Sequence, residues 1–135
     1  MAKNGGYFWS NTNLSLLCRN GEFVSKNNQV VTRKNAAGVK VSFYPTRGVF
    51  GNTKDNKYSA DWVFTTVTPE TTFAYPEPAL NKSGSDPQPV PSATYPAGAW
   101  VYKPQTAIGG GPVLVKNGIL KNTWEAELYD ADSGI

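Results

Sequence analysis

From Leu14 the chain reads Leu-Ser-Leu-Leu-Cys, then Arg19-Asn20-Gly21-Glu22, then Phe23-Val24-Ser25. Two apolar runs split by Asn-Gly predict a hairpin, because both central positions of a two-residue turn need positive φ. Val30 to Arg33 predicts a short strand. Val39 to Phe43 alternates apolar and polar positions, as a half-buried strand does, before Tyr44 and Pro45 end it. Asp61 to Val67 is rich in β-branched and aromatic residues and predicts a further strand, closed by Pro69. Regular structure resumes at Ala99-Trp100-Val101-Tyr102, and the strand Val113-Leu114-Val115 turns through Asn117-Gly118 into Ile119-Leu120 as a second hairpin. The one helix the pattern predicts is short. Asn122 or Thr123 caps a segment holding Trp124, Glu125, Glu127 and Leu128, with acids in its first turn.

Between these elements, residues 69–98 carry seven of the ten prolines, with Ser83-Gly84-Ser85-Asp86 at the centre, and show no period of either kind. They predict a long excursion, in which Tyr75 and Tyr95 pack onto the body or stack on a ligand. An internal correspondence pairs Leu16–Phe23 with Val113–Leu120, each an Asn-Gly hairpin preceded by a glycine cluster: Asn4 to Phe8 before the first, Gly109 to Pro112 before the second.

The expected fold is one domain over residues 1–135, α+β but strand-dominated, a bent mixed sheet with Asn-Gly hairpins, few short helices and the Pro-rich excursion within it. Composition agrees, since 13 glycines, 10 prolines and 13% aromatics suit turns and strands. The formal charge of +3 is unevenly spread, +7 over residues 1–60 and −4 over residues 61–135. Lys3, Arg19, Lys26, Arg33, Lys34, Lys40, Arg47, Lys54 and Lys57 are scattered, which fits solvated strand faces better than a nucleic-acid surface. No apolar run approaches the roughly 20 residues that span a bilayer.

The absence of histidine excludes Ser-His-Asp and Cys-His sites and a histidine general base. The single cysteine, Cys18, cannot close an internal disulfide or build a thiolate metal cage, and its apolar run predicts a buried filler. Acid–base work therefore falls to carboxylates, as in glycoside hydrolysis. The candidates are Asp61, Glu70, Glu77, Asp86, Glu125, Glu127, Asp130 and Asp132, four of them within 125–132, where a solvated acidic helix face is the competing explanation. Adjacent glycines suggest positive φ or close approach to a ligand. Successive N–H groups in such turns form an anion-binding nest, although tight turns alone also account for the clusters.

Asn4-Gly5-Gly6-Tyr7-Phe8, Thr46-Arg47-Gly48-Val49-Phe50-Gly51 and Ala107-Ile108-Gly109-Gly110-Gly111-Pro112-Val113-Leu114-Val115-Lys116-Asn117-Gly118 together resemble the phosphodiester glycosidase domain. The resemblance implies a mixed α/β fold around a large bent sheet, glycine motifs lining a cleft, and cleavage of a sugar-1-phosphodiester. It implies substrate binding by Asn4, Gly5, Gly6, Gly109, Gly110 and Gly111, a phosphate clamp at Arg47 and an acid or base at Glu125. Arg47 suits that role because its planar fork can bond two phosphate oxygens. No metal or cofactor is implied; the expected partner is a carbohydrate or sugar phosphate rather than nucleic acid, and the expected location is exported. The family's Pro-Arg-Thr-Ala-Ile-Gly and Asp-Gly-Gly-Gly-Ser motifs do not occur before Ile135, so an incomplete domain is expected, with exposed sheet edges open to oligomers. The alternative is a non-catalytic module that binds glycan or cell-wall polymer through Trp9, Trp62, Trp100, Trp124 and the tyrosines.

Overall fold

The computed structural model describes residues 8–9, 12–13, 16–26, 30–52, 57–110, 115–121, 123 and 125–128. The strands in chain order are β1 (Phe8–Trp9), β2 (Thr12–Asn13), β3 (Leu17–Arg19), β4 (Glu22–Ser25), β5 (Val31–Lys34), β6 (Lys40–Phe43) and β7 (Arg47–Asn52). They continue with β8 (Tyr58–Val67), β9 (Glu70–Tyr75), β10 (Trp100–Val101), β11 (Thr106–Gly109), β12 (Val115–Lys116) and β13 (Ile119–Leu120). Seven form one sheet in the order β10-β9-β8-β7-β11-β3-β4, and β1-β2, β5-β6 and β12-β13 are separate two-stranded ribbons.

The two Asn-Gly turns fold as their chemistry requires. Asn20 and Gly21 have φ of 53° and 79°, and Asn117 and Gly118 have 52° and 77°, so both positions of each turn are left-handed. Every pairing in the large sheet is antiparallel, which corrects the expected mixed sheet. β11 returns between β7 and β3, antiparallel to both. The sheet curls: Lys26, just past the β4 edge, meets Glu70 of β9 at 2.5 Å, next to the opposite edge.

No helix occurs among the described residues. The segment predicted as one is a turn over residues 125–128, where Glu127 N–H reaches Thr123 O at 2.9 Å and Leu128 N–H reaches Glu125 O at 2.9 Å. Leu128 then takes a φ of 59°, and this left-handed residue ends the helical path after one turn. Asn122 and Trp124 lie outside the described residues. The excursion is also shorter than expected, because Glu70–Tyr75 pairs with Trp62–Val67 as β9 and irregular chain begins at Pro76. It packs on the body: Tyr75 is fully buried and donates its hydroxyl to Ser92 O at 2.9 Å, and Ala79 N–H donates to Thr46 Oγ1 at 3.0 Å.

Inside the curl lie Leu16, Cys18, Val49, Val63, Ala74, Tyr102 and Ala107, with Phe23 partly buried against them. Small residues on β7 and β11 leave room for the Tyr102 ring. A Cβ on Gly51 would sit 2.4 Å from Tyr102 Oη, 2.8 Å from Ala107 Cβ and 2.9 Å from Thr106 O. Gly51→Ala is therefore expected to destabilise by about 1–3 kcal/mol through overpacking, read from urea unfolding. Adding Tyr102→Phe should recover only part of that loss, since the Ala107 and Thr106 contacts remain.

The Tyr102 hydroxyl is buried without a hydrogen-bond partner. Tyr102→Phe alone is thus expected to stabilise by about 1 kcal/mol, the cost of a buried unmade hydrogen bond. Burial holds the Tyr75 and Tyr102 phenols neutral well above their ordinary range, and for Tyr102 the negative charges of Asp61 and Cys18 add to it. In the unfolded chain both ionise near pH 10. Their contribution is therefore complete below that pH and declines above it, by about 1.4 kcal/mol per pH unit for each group. Urea midpoints compared at about pH 8 and about pH 11 should show this decline, with a shallower slope in Tyr102→Phe. An equal slope in the variant would remove Tyr102 from this account.

Candidate functional site

Arg47 and Gly48 are the first residues of β7, where Arg47 stands opposite Val63 and Gly48 opposite Trp62. Glu127 sits against this pair. Its Oε1 accepts Gly48 N–H at 2.7 Å, and its Oε2 accepts Trp62 Nε1–H at 3.0 Å and Thr123 Oγ1–H at 2.6 Å. Glu127 has no exposed surface. The turn at residues 125–128 is what delivers this carboxylate: the Thr123–Glu127 bond fixes its start, and Arg33 Nη2 donates to Leu128 O at 3.2 Å beyond it.

Gly48 is also where β7 meets the second glycine run. The β7–β11 ladder ends at Gly109 opposite Val49. One residue on, Gly110 N–H still reaches Gly48 O at 3.4 Å, whereas Gly48 N–H turns to Glu127. Gly109 N–H donates to Leu16 O at 2.7 Å. Gly109 and Gly110 are therefore not an open nest of donors: both N–H groups are engaged, and neither residue has positive φ. Gly110 nevertheless faces open space, with no heavy atom within 4 Å of where its Cβ would be. Packing does not demand glycine there.

Of the predicted site residues, Arg47, Gly109 and Gly110 have their backbones at this junction, with the Arg47 side chain on the opposite face of β7 from Gly48. Arg47 is 7% exposed at the start of β7. Glu125 lies on the same turn as Glu127 but points away: its side chain is 45% exposed and 4.0 Å from Lys82. Asn4, Gly5, Gly6 and Gly111 lie outside the described residues, as do Asp130 and Asp132. The residue that sequence reasoning undervalued is Glu127, whose only signal was its four-residue spacing from Thr123.

The other candidate carboxylates have partners of their own. Asp61 accepts Lys116 Nζ–H at 2.8 Å and Ser59 Oγ–H at 2.7 Å, and Glu77 accepts Lys121 Nζ–H at 2.8 Å. Asp86 accepts Ala36 N–H at 3.3 Å. Cys18 is free and buried, and burial pushes its thiol upward, so it is suited to packing rather than to nucleophilic attack.

On the same face as Gly48 and Trp62, the next row of the sheet carries Phe50 opposite Ala60 on one side and Ile108 on the other. Phe50 and Tyr58 stack with centroids 5.5 Å apart and planes 12° apart, and both are more than half exposed. Trp62, by contrast, is fully buried with Lys116 Nζ 5.1 Å from its ring centroid, and Trp100 is 41% exposed. The side chains of Trp9 and Trp124 are outside the described residues.

Compared with known protein families, with curated proteins and with solved structures, the chain matches none.

Proposed function

We propose that the junction of β7, β11 and the turn at residues 125–128 belongs to a site for a sugar-1-phosphodiester, as in the phosphodiester glycosidase domain the sequence resembles. The observation that carries this reading is the convergence at Gly48 of segments far apart in sequence: its carbonyl meets Gly110 and its N–H meets Glu127. Open space over Gly110 leaves room for a ligand to approach the backbone.

In this reading Arg47 holds the phosphate from a mostly covered position, where a charge-assisted bond is stronger than in water. Glu127 is a positioning residue, because its oxygens are already occupied by Gly48, Trp62 and Thr123. Glu125, open to solvent, is the carboxylate able to exchange a proton: water adds to the anomeric carbon as the C–O bond to phosphate breaks, releasing the sugar and leaving the phosphate on its carrier. Export of the chain belongs to the same proposal.

The test incubates the chain with a sugar-1-phosphodiester and follows binding and release of sugar. Arg47→Lys is expected to weaken binding about tenfold, since an ammonium cannot replace the bidentate fork. Glu125→Gln is expected to slow turnover with binding intact. A folded chain that neither binds nor cleaves the ester defeats the reading.

A second reading, a glycan-binding module without catalysis, is favoured by the exposed Phe50–Tyr58 stack, which offers a flat surface to a sugar ring. Binding of an uncharged glycan that survives Arg47→Lys and is lost in Tyr58→Ala would select it.

A further inference from the structure

The basic residues of the first half are scattered in sequence, but the β5–β6 ribbon gathers three of them. Lys34 and Lys40 stand directly opposite each other at the turn end of the ribbon, and both are exposed. Opposed residues on one face of an antiparallel pair have Cβ atoms about 5 Å apart, so two like charges there repel. Among the described residues neither lysine has an ion pair or a side-chain hydrogen bond. Arg33, just before Lys34 in sequence and buried, is fixed by Thr32 O at 2.8 Å from Nη1 and by Leu128 O at 3.2 Å from Nη2. Thr32, Arg33, Lys34 and Lys40 line a single recess of about 360 Å³.

Lys34 and Lys40 bring to this lining positive charge that no ion pair among the described residues offsets. An anion seated between the strands would convert the Lys34–Lys40 repulsion into two charge-assisted hydrogen bonds. The volume falls in the range of small-molecule sites, about 300–1,000 Å³. A nucleic-acid strand would need a longer basic track than one four-residue ribbon provides.

We propose that this recess binds the phosphate or sulfate ester group of a small soluble molecule. Lys34 and Lys40 close on the oxyanion from the two strands, the Thr32 hydroxyl donates to it, and Arg33, held by Thr32 O and Leu128 O, forms part of the wall. The site lies on the β5–β6 ribbon, whereas Gly48 and Arg47 belong to the seven-stranded sheet, so it does not rest on the sugar-phosphodiester reading.

The test is an amide NMR titration and a thermal unfolding series on the whole chain. Inorganic phosphate, inorganic sulfate and a hexose phosphate are compared with sodium chloride at equal ionic strength. The amides of residues 32–34 and 40–42 are expected to shift with the oxyanions and not with chloride, and the hexose phosphate is expected to bind more tightly than inorganic phosphate. Lys34→Gln or Lys40→Gln should weaken phosphate binding about tenfold, the loss of one charge-assisted contact. In chloride alone each Gln variant should unfold at a higher temperature than the parent, because the like-charge pair is gone, while Lys40→Arg should keep both binding and repulsion. Equal shifts with chloride, or phosphate binding unchanged in both Gln variants, would overturn the site. Equal affinity for inorganic phosphate and hexose phosphate would overturn the ester assignment, and preference for an oligonucleotide over the hexose phosphate would overturn the ligand class.

Discussion

Replacing Glu127 with alanine is expected to lower the unfolding midpoint by roughly 10 °C. The substitution leaves the Gly48 N–H, the Trp62 indole N–H and the Thr123 hydroxyl facing a space with no acceptor, at a position with no exposed surface. Thr123 can rotate its hydroxyl toward another acceptor, but the other two donors are fixed by the sheet and by the ring. Stranding buried donors costs about 1–3 kcal/mol each. Partial relaxation brings the expected total to about 3 kcal/mol or more, the usual scale for breaking a buried charged network.

Glu127→Gln should fall between parent and alanine. Its single carbonyl oxygen can serve Gly48 or Trp62 but not both, and its amide then points at whichever donor is left. Glu125→Gln should leave the midpoint unchanged, because Glu125 is solvated and only 4.0 Å from an exposed Lys82. Calorimetry on the three variants decides the matter: equal tolerance at 125 and 127 would mean that the buried carboxylate does not hold the β7–turn junction together.

The contrast between these two glutamates marks where sequence reasoning reaches its limit. Both stand in one acidic run, and spacing shows that both sit near Thr123. Which of them turns inward depends on donors from distant parts of the chain, the Gly48 N–H and the Trp62 indole N–H. The hairpins were legible because Asn-Gly is a local backbone preference: φ values of 53° and 79° at Asn20 and Gly21 follow from two adjacent residues. β7 was not legible as a strand. Glycines at 48 and 51 interrupt its alternation, yet the one at 51 leaves room for Tyr102. β9 was hidden for a different reason, since Glu70–Tyr75 opens the stretch in which proline density suggests irregular chain throughout. The predicted helix failed at Leu128, whose left-handed φ is tolerated because its side chain is fully buried and its carbonyl is held by Arg33. The cationic recess was likewise invisible as a cluster, because the pairing of β5 with β6 is what sets Lys34 against Lys40.

Lys116→Met is expected to destabilise the protein by about 3 kcal/mol, because it leaves the Asp61 charge almost fully buried with only the Ser59 hydroxyl beside it. Asp61→Asn should cost less, about 2 kcal/mol. The stranded ammonium retains Pro76 O at 3.2 Å and the face of Trp62, and a desolvated cation–π contact is worth about 1–2 kcal/mol. Removing both charges should be milder than the sum, since a buried ion pair is close to neutral against uncharged groups of similar size. The double-mutant cycle is therefore expected to show a coupling of about 3 kcal/mol or more, with little dependence on salt. The nearby Lys121–Glu77 pair, whose carboxylate side is 61% exposed, should couple by less than about 1 kcal/mol and weaken as salt rises. Lys116 sits in β12 and grips β8, so its loss should also raise amide exchange in the Asn117–Gly118 hairpin before the rest of the sheet responds. Full additivity of the Asp61 and Lys116 variants, or exchange that rises uniformly across the sheet, would show that this ion pair does not anchor the hairpin that follows the second glycine run.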